Sequence, residues 1–243
     1  MTSTVLVLGG SGGIGFALAE RLAARGRPVH LAARDAVRLA ERAAALGGAP
    51  FSVCDVNDPA ALARTVAEAA AGGGLAGLAY CVGSIGLEPL KRVTAERMLD
   101  AYRLNAVGAL LAVQAAEKEL RAARGAVVLF SSVAATAGFP NHTVIAAAKG
   151  AVEALTRSLA AELAPEVRVN CVAPSLVRTP LAAGLTGNEA LARSIAALHP
   201  LPRLGEPEDA AAAAEFLLSA DSAWITGQVL AVDGGRSAVR TKG

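Results

Sequence analysis

The sequence is poor in aromatic side chains, only 3% of its 243 residues, and neither charge is in clear excess: 23 Lys and Arg stand against 21 Asp and Glu. Readers of nucleic acid present a basic surface and commonly stack bases on aromatic rings, so both shortages argue against a nucleic-acid partner. The same balance gives no attraction to an acidic membrane surface. Cysteine is scarce as well. Cys54, Cys81 and Cys171 are odd in number, far apart and set in apolar runs, with no C-x-x-C pair. Disulfide and metal readings therefore fail, no metal is expected, and buried free thiols in a reducing compartment are expected instead. A membrane-length apolar run is also missing. The longest stretch without a charge, 125–148, is interrupted by Ser131, Ser132, Pro140, Asn141 and His142, and a spanning helix would not carry so many polar groups and breakers. The first residues have no basic segment, and glycines interrupt their apolar stretch, so no signal peptide is expected and a cytoplasmic location follows by default.

What the sequence does hold is apolar residues, 53% of the total, enough to exclude disorder and to fill the core of one large domain, taken as 1–243. Short β-type runs alternate with longer Ala-rich helical runs. Strands are expected at 4–8, 29–33, 51–54, 75–82, 125–130, 167–172 and 228–232. Helices are expected at 16–25, 36–46, 59–71, 143–163 and 207–219, and 94–124 reads as one long or broken helix. Continuously apolar strands suit a parallel sheet covered on both faces. The pattern predicts an α/β fold, a Rossmann-type doubly wound parallel sheet with helices on both faces. Residues 173–206 form the one long irregular region, the kind of segment that serves as a lid, and 236–243 are left as a C-terminal tail.

The most informative local motif is Gly9-Gly10-Ser11-Gly12-Gly13-Ile14-Gly15, placed between the first strand and the first helix. Glycines let the backbone approach a pyrophosphate, and the helix N-terminus offers free N–H groups and the positive end of its dipole. Gly9, Ser11, Gly13, Ile14 and Gly15 are the candidate phosphate-side residues. Arg34 follows the second strand, where an acidic residue would hold a ribose 2′-hydroxyl; an arginine suits a 2′-phosphate, so NADP(H) is favoured over NAD(H), with the adjacent Asp35 weighing against it. Asp55 could accept from the adenine amine or serve as a turn or capping aspartate.

Together these stretches resemble the short-chain dehydrogenase/reductase family over essentially the whole chain. Gly9, Gly13 and Gly15 match its glycine loop, with Leu8 where a threonine is usual. Cys54-Asp55-Val56 matches its adenine motif, Asn105 its helical asparagine, and Ser132 its substrate-orienting serine. Lys149 matches its catalytic lysine. Arg168 to Pro174 and Val177 to Pro180 match the segment that lines the nicotinamide, with Ser175 in place of glycine and Thr179 at the position that touches the amide; Ile225 to Gln228 and Val232 to Gly235 match its C-terminal signature. The resemblance thus implies cofactor contacts from Asp55, Val56, Gly83, Lys149, Pro174, Val177 and Thr179, and a homodimer or homotetramer paired through 94–124 and 143–163. Tyr80-Cys81-Val82-Gly83 replaces the family's N-N-A-G, which implies rewiring of the central sheet.

The second departure bears on chemistry. The family's tyrosine lies thirteen residues after the serine and four before the lysine, and both counts reach Ile145. An isoleucine cannot give a proton, and general acid–base groups typically contribute about 10²–10⁴-fold. His142 lies three residues earlier, on the same face of a helix, and histidine can exchange a proton near neutrality, so it is the candidate substitute beside Ser132, Lys149 and Asn105; facing solvent or substrate is its alternative reading. The expected activity is hydride transfer to or from a small carbonyl or alcohol. A nucleotide-binding protein without turnover, with a sensing or partner-binding role, and a non-redox lyase or isomerase stay as alternatives. The Ala- and Leu-rich stretch 181–200 points to an apolar substrate pocket.

Overall fold

The computed structural model describes residues 3–240. Seven strands, β1 (Thr4–Leu8), β2 (Val29–Ala33), β3 (Phe51–Val53), β4 (Leu75–Tyr80), β5 (Ala126–Phe130), β6 (Arg168–Pro174) and β7 (Val229–Val232), form one sheet. Their order is β3-β2-β1-β4-β5-β6-β7, with every neighbouring pair parallel. The helices are α1 (Gly13–Ala24), α2 (Ala36–Ala45), α3 (Pro59–Ala70), α4 (Ala95–Tyr102), α5 (Gly108–Ala123), α6 (Thr143–Leu163), α7 (Ala183–Thr186), α8 (Glu189–Ala196) and α9 (Pro207–Leu218). This is the doubly wound Rossmann-type arrangement. The strand order reverses between β1 and β4, where such sheets open a crevice beyond their carboxyl ends.

Burial on both faces explains why the strands read as unbroken apolar runs. Every residue of β1 and β5 is buried. Along β1, Leu6 and Leu8 enter the core beneath α3, α5 and α6, while Val5 and Val7 enter the core beneath α1, α2 and α9, as successive side chains must. Side chains start the helices: Asp35 accepts from Arg38 N (3.1 Å), and Asp58, followed by Pro59, accepts from Ala60 N (2.9 Å), so the first orphan N–H groups are satisfied. At the other end of α9, Arg168 donates to the carbonyls of Leu217 and Ser219, both at 2.9 Å. Its neighbour Asn170 donates to Ile225 O (2.9 Å) and accepts from Gln228 N (3.0 Å), joining β6 to the approach to β7.

The stretch 94–124, read as one long or broken helix, is broken by a π-helical turn, Arg103–Val107, between α4 and α5. Two other segments differ from the sequence-based expectation. β4 stops at Tyr80 instead of Val82. The region 173–206 is largely ordered into regular pieces: β6 continues to Pro174, and a 3-10 turn, α7 and α8 follow. Tyr80 links the π turn to the end of β4. Only 2% exposed, it donates its hydroxyl to the carbonyl of Leu104 at 2.6 Å, pinning the π turn to the end of β4 where the family has asparagine. Burial pushes its phenol pKa up, so it serves as a hydrogen-bond donor and not as a titrating acid. Replacing it by Phe leaves a carbonyl of the turn unpaired, and Tyr80→Phe is expected to lower stability by about 1 kcal/mol; an unchanged urea midpoint would contradict that role.

Candidate active site

The turn after β1 is built for close approach. Gly9 has φ +82°, and a Cβ there would stand 2.8 Å from the carbonyl carbon of Cys81. A Cβ on Gly13 would stand 2.7 Å from Cγ2 of Thr179, so the turn is held against both the β4 loop and the segment after β6. α1 starts at Gly13 with no side-chain cap and no acidic residue in its first turn, which leaves its N–H groups and dipole end for an anion such as a pyrophosphate. Ser11 is buried in this turn. Gly15 packs against the Gly9 carbonyl. Beyond β2, Arg34 is exposed, whereas the Asp35 carboxylate is already engaged as the α2 cap. Asp55 accepts from Asn57 N (2.9 Å) and Asn57 Nδ2 (3.2 Å) through one oxygen, which is the turn role. The Val56 side chain lies in the core, which leaves only its backbone for any ligand contact.

A cavity of about 260 Å³ opens beyond the carboxyl ends of β4, β5 and β6, and its walls bring together Ile14, Gly83, Ser132, Ile145, Lys149 and Thr179. Pro174, Val177 and His142 line it too. Lys149, only 7% exposed, donates from Nζ to Phe130 O at 2.8 Å, and burial lowers its ammonium pKa to about 8. Asn105, on the π turn, donates from Nδ2 to Ala101 O (2.8 Å) and Ser84 Oγ (3.1 Å). Its Oδ1 is buried and has no partner among the described residues. A Cβ on Gly83 would lie 3.1 Å from both that oxygen and Lys149 Nζ; only glycine keeps the space between them.

Ser132 accepts from Ala134 N (3.2 Å) and begins a 3-10 turn. Its neighbour Ser131 is buried, with Oγ 2.9 Å from Glu153 Oε1 and 3.1 Å from Lys149 O, so the end of β5 is tied to α6. Ile145 is 5% exposed, yet it lines the cavity and not the central core. His142 donates from Nδ1 to Pro140 O (2.7 Å) and meets the Phe139 ring edge-on at 5.4 Å between centroids. Because a carbonyl only accepts, Nδ1 is the protonated nitrogen of that contact, and Nε2 is left free of it. Thr179 accepts from Ala182 N (3.3 Å), capping the next turn.

Three residues fall outside the sequence reading. Ser175, in the glycine position, donates to Nε2 of His199 at 2.8 Å, and Nδ1 of that ring donates to Ile195 O at 2.9 Å; a buried histidine thus braces α8 against β6. The serine itself was the only local signal of this contact. Cys81 was expected to be a buried thiol, but it is half-buried and lines the cavity; desolvation still pushes its pKa up to about 12, which makes it a poor nucleophile. Arg236, expected to begin a tail, lines the cavity as well, with its guanidinium carbon 4.7 Å from the centre of the Phe139 ring. The last residues of the expected tail, 241–243, lie outside the described residues. Among the described residues no group of three His, Cys, Asp or Glu could hold a metal, and no helix is long and apolar enough to cross a membrane.

A family model described as enoyl-(acyl carrier protein) reductase matches residues 9–237. The chain is 36% identical over 239 residues to carbonyl reductase family member 4 of Danio rerio, covering 97% of this chain and 98% of that protein. A solved short-chain type dehydrogenase/reductase from Mycobacterium ulcerans is 35% identical, with a TM-score of 0.91 and coverage of 98% of this chain and 90% of that one. The chain belongs to the short-chain dehydrogenase/reductase family. This short-chain dehydrogenase/reductase is also 40% identical over 222 residues to inactive 2-(S)-hydroxypropyl-CoM dehydrogenase 2 of Xanthobacter autotrophicus, covering 88% of this chain and 96% of that protein. It matches an actinorhodin polyketide ketoreductase solved with NADPH at a TM-score of 0.93 and 26% identity, covering 98% of each chain.

The buried lysine of this short-chain dehydrogenase/reductase has a consequence for stability. Its pKa falls from 10.5 to about 8 on folding, so the folded state resists the charge. Below pH 8 the ammonium is present in both states and folding carries the full cost; above 10.5 it is neutral in both, and the cost is gone. Relative to wild type, Lys149→Met is expected to be favoured most at pH 7, and the gap should narrow by up to about 3 kcal/mol as the pH rises through that window. Urea unfolding of both proteins at pH 7 and pH 10 reads the difference; a constant gap contradicts it.

Proposed function

We propose that this protein is an NADP(H)-dependent oxidoreductase acting on a small carbonyl or alcohol, with a proton donor other than tyrosine. The observation that carries the reading is that the uncapped glycine turn and the buried Lys149 open into one cavity. The exposed Arg34, beside an aspartate already engaged in capping, supports a 2′-phosphate partner. The carbonyl reductase and ketoreductase among its relatives support the substrate class.

When bound, the nicotinamide supplies or accepts hydride. The chain's part is to bind, to orient and to move a proton. Gly9, Ser11, Gly13, Ile14 and Gly15 receive the pyrophosphate at the start of α1; Arg34, Asp55 and the Val56 backbone hold the adenosine end. Lys149 holds the ribose hydroxyls, and Asn105 Oδ1, across the Gly83 space, is placed to share a water with Nζ. Gly83, Pro174, Val177 and Thr179 hold the nicotinamide end, and Ser132 orients the substrate oxygen. Ile145 stands where the family tyrosine would be and has no proton to give. His142 lies one turn earlier on the cavity wall. With Nδ1–H committed to Pro140, Nε2 is the nitrogen that carries the second proton of the imidazolium and delivers it to the substrate oxygen. A second reading, nucleotide binding without turnover, is favoured by the apolar Ile145 and by the relative named as inactive. Two-fold assembly through α5 and α6 belongs to the same proposal.

Isothermal titration is expected to give tighter binding for NADPH than for NADH, and Arg34→Asp should reverse the order, since it exchanges a phosphate partner for a hydroxyl acceptor. NADH binding more tightly to wild type contradicts the cofactor assignment. In turnover, His142→Ala should lose about 10²-fold without weakening NADPH binding, and Ile145→Tyr, placing a phenol one turn from Lys149, should gain about 10²-fold on a generic ketone. If wild type and Ile145→Tyr both bind NADPH and both are inert, the second reading holds.

A further inference from the structure

The cavity wall carries a guanidinium that no side chain pairs with among the described residues. Among them no aspartate or glutamate lines the cavity, whereas Arg236 does. Its guanidinium is laid over the Phe139 ring at 4.7 Å, a cation–π contact that orients the group without satisfying its donors. The opposing charge that acts on it is Asp233, and that carboxylate is engaged by its own neighbours. One of its oxygens accepts from Gly235 N (2.8 Å), and the other accepts from Ser237 N (2.7 Å) and Ser237 Oγ (2.5 Å). Among the described residues Arg236 makes no side-chain hydrogen bond and no ion pair. It is half-buried, and burial lowers its pKa against the attraction of Asp233. The cavity lining also includes the aliphatic side chains of Ile85, Leu87, Leu181, Leu185 and Ile195, together with His142, which meets the same Phe139 ring edge-on. Five donors in a planar fork, held at an apolar wall, match a carboxylate in two-point contact. The low-dielectric surroundings strengthen such a pair relative to one in water.

We propose that Arg236 is the anion-binding residue of the substrate site, and that the substrate is an oxo or hydroxy acid whose aliphatic body lies along the cavity and whose carboxylate meets the guanidinium. This rests on the reductase reading for the chemistry at the carbonyl, but the carboxylate site itself does not need turnover. The two are therefore tested apart.

Binding is read first, without cofactor, by isothermal titration of octanoate and of octanamide, which differ at the head group and share the chain. Wild type should bind octanoate at least about 10-fold more tightly than octanamide, Arg236→Gln should abolish the preference, and Arg236→Lys should keep part of it, since a point charge remains but the fork is gone. NADPH titration of each variant checks that the cofactor end is intact. Equal binding of the two probes, no octanoate binding at all, or a preference that survives in Arg236→Gln overturns the proposal; the last would move the anion to Lys149. Turnover is read second, with a panel of oxo acids and their methyl esters under NADPH. Arg236→Gln should lower kcat/KM for the acids by about 10-fold or more and leave the esters nearly unchanged. Inertness toward every acid and ester, with octanoate binding intact, removes the reductase reading and leaves the carboxylate site standing.

Discussion

The carboxyl edge of this molecule depends on how closely the turn after β1 is drawn against its neighbours. Gly9 sits at φ +82°, with room for no Cβ before the Cys81 backbone, and Gly13 sits with no room before Thr179. Missing side chains at these points let α1 begin against the loop after β4, while the segment after β6 packs on the same turn. The start of α1, the Gly83 space and that segment then line a single cavity. A methyl group at either glycine would force apart the elements that frame the cavity, so the backbone approach comes first and the chemistry follows from it.

Within that frame the polar groups are few and each is placed by a neighbouring strand end. Phe130 O at the end of β5 takes the Lys149 ammonium, and Ser131 ties the same strand to α6 through Glu153 and the Lys149 carbonyl. Tyr80 at the end of β4 holds the π turn that carries Asn105. The lysine is consequently buried beside carbonyl and amide dipoles with no carboxylate on the cavity wall, and its charge is correspondingly costly. Tyr80 and Ile145 thus play different parts. The first supports the turn that carries the asparagine by a hydrogen bond, and the second is an apolar side chain on the cavity wall.

Much of this was legible in the residues. The parallel sheet was readable because burial on both faces demands continuous apolar strands, and the helix starts because Asp35 and Asp58 act within a few residues of themselves. The break between α4 and α5 was open in the sequence and was decided by the π turn. Segments were misread where distant partners act. In the region after β6, α8 has a local start in Asn188, which accepts from Leu191 N, but nothing local shows Ser175 holding His199, 24 residues away. Arg236 looked like the start of a tail because nothing beside it in the chain reveals Phe139, the ring on which it rests.

By itself, the sequence determined the layered α/β architecture, the glycine turn at the head of α1 and the absence of a phenol before Lys149, since all three are properties of period, backbone freedom or residue identity over short spans. Tertiary structure alone decided which side chains share the cavity. It brought Ile145, His142 and Ser132 to line one cavity, engaged Asp35 and one oxygen of Asp55 in local turns while leaving Arg34 exposed, and brought an arginine from beyond β7 to the same cavity. Those outcomes depend on strand order and on contacts between residues far apart in the chain, which no spacing along it encodes.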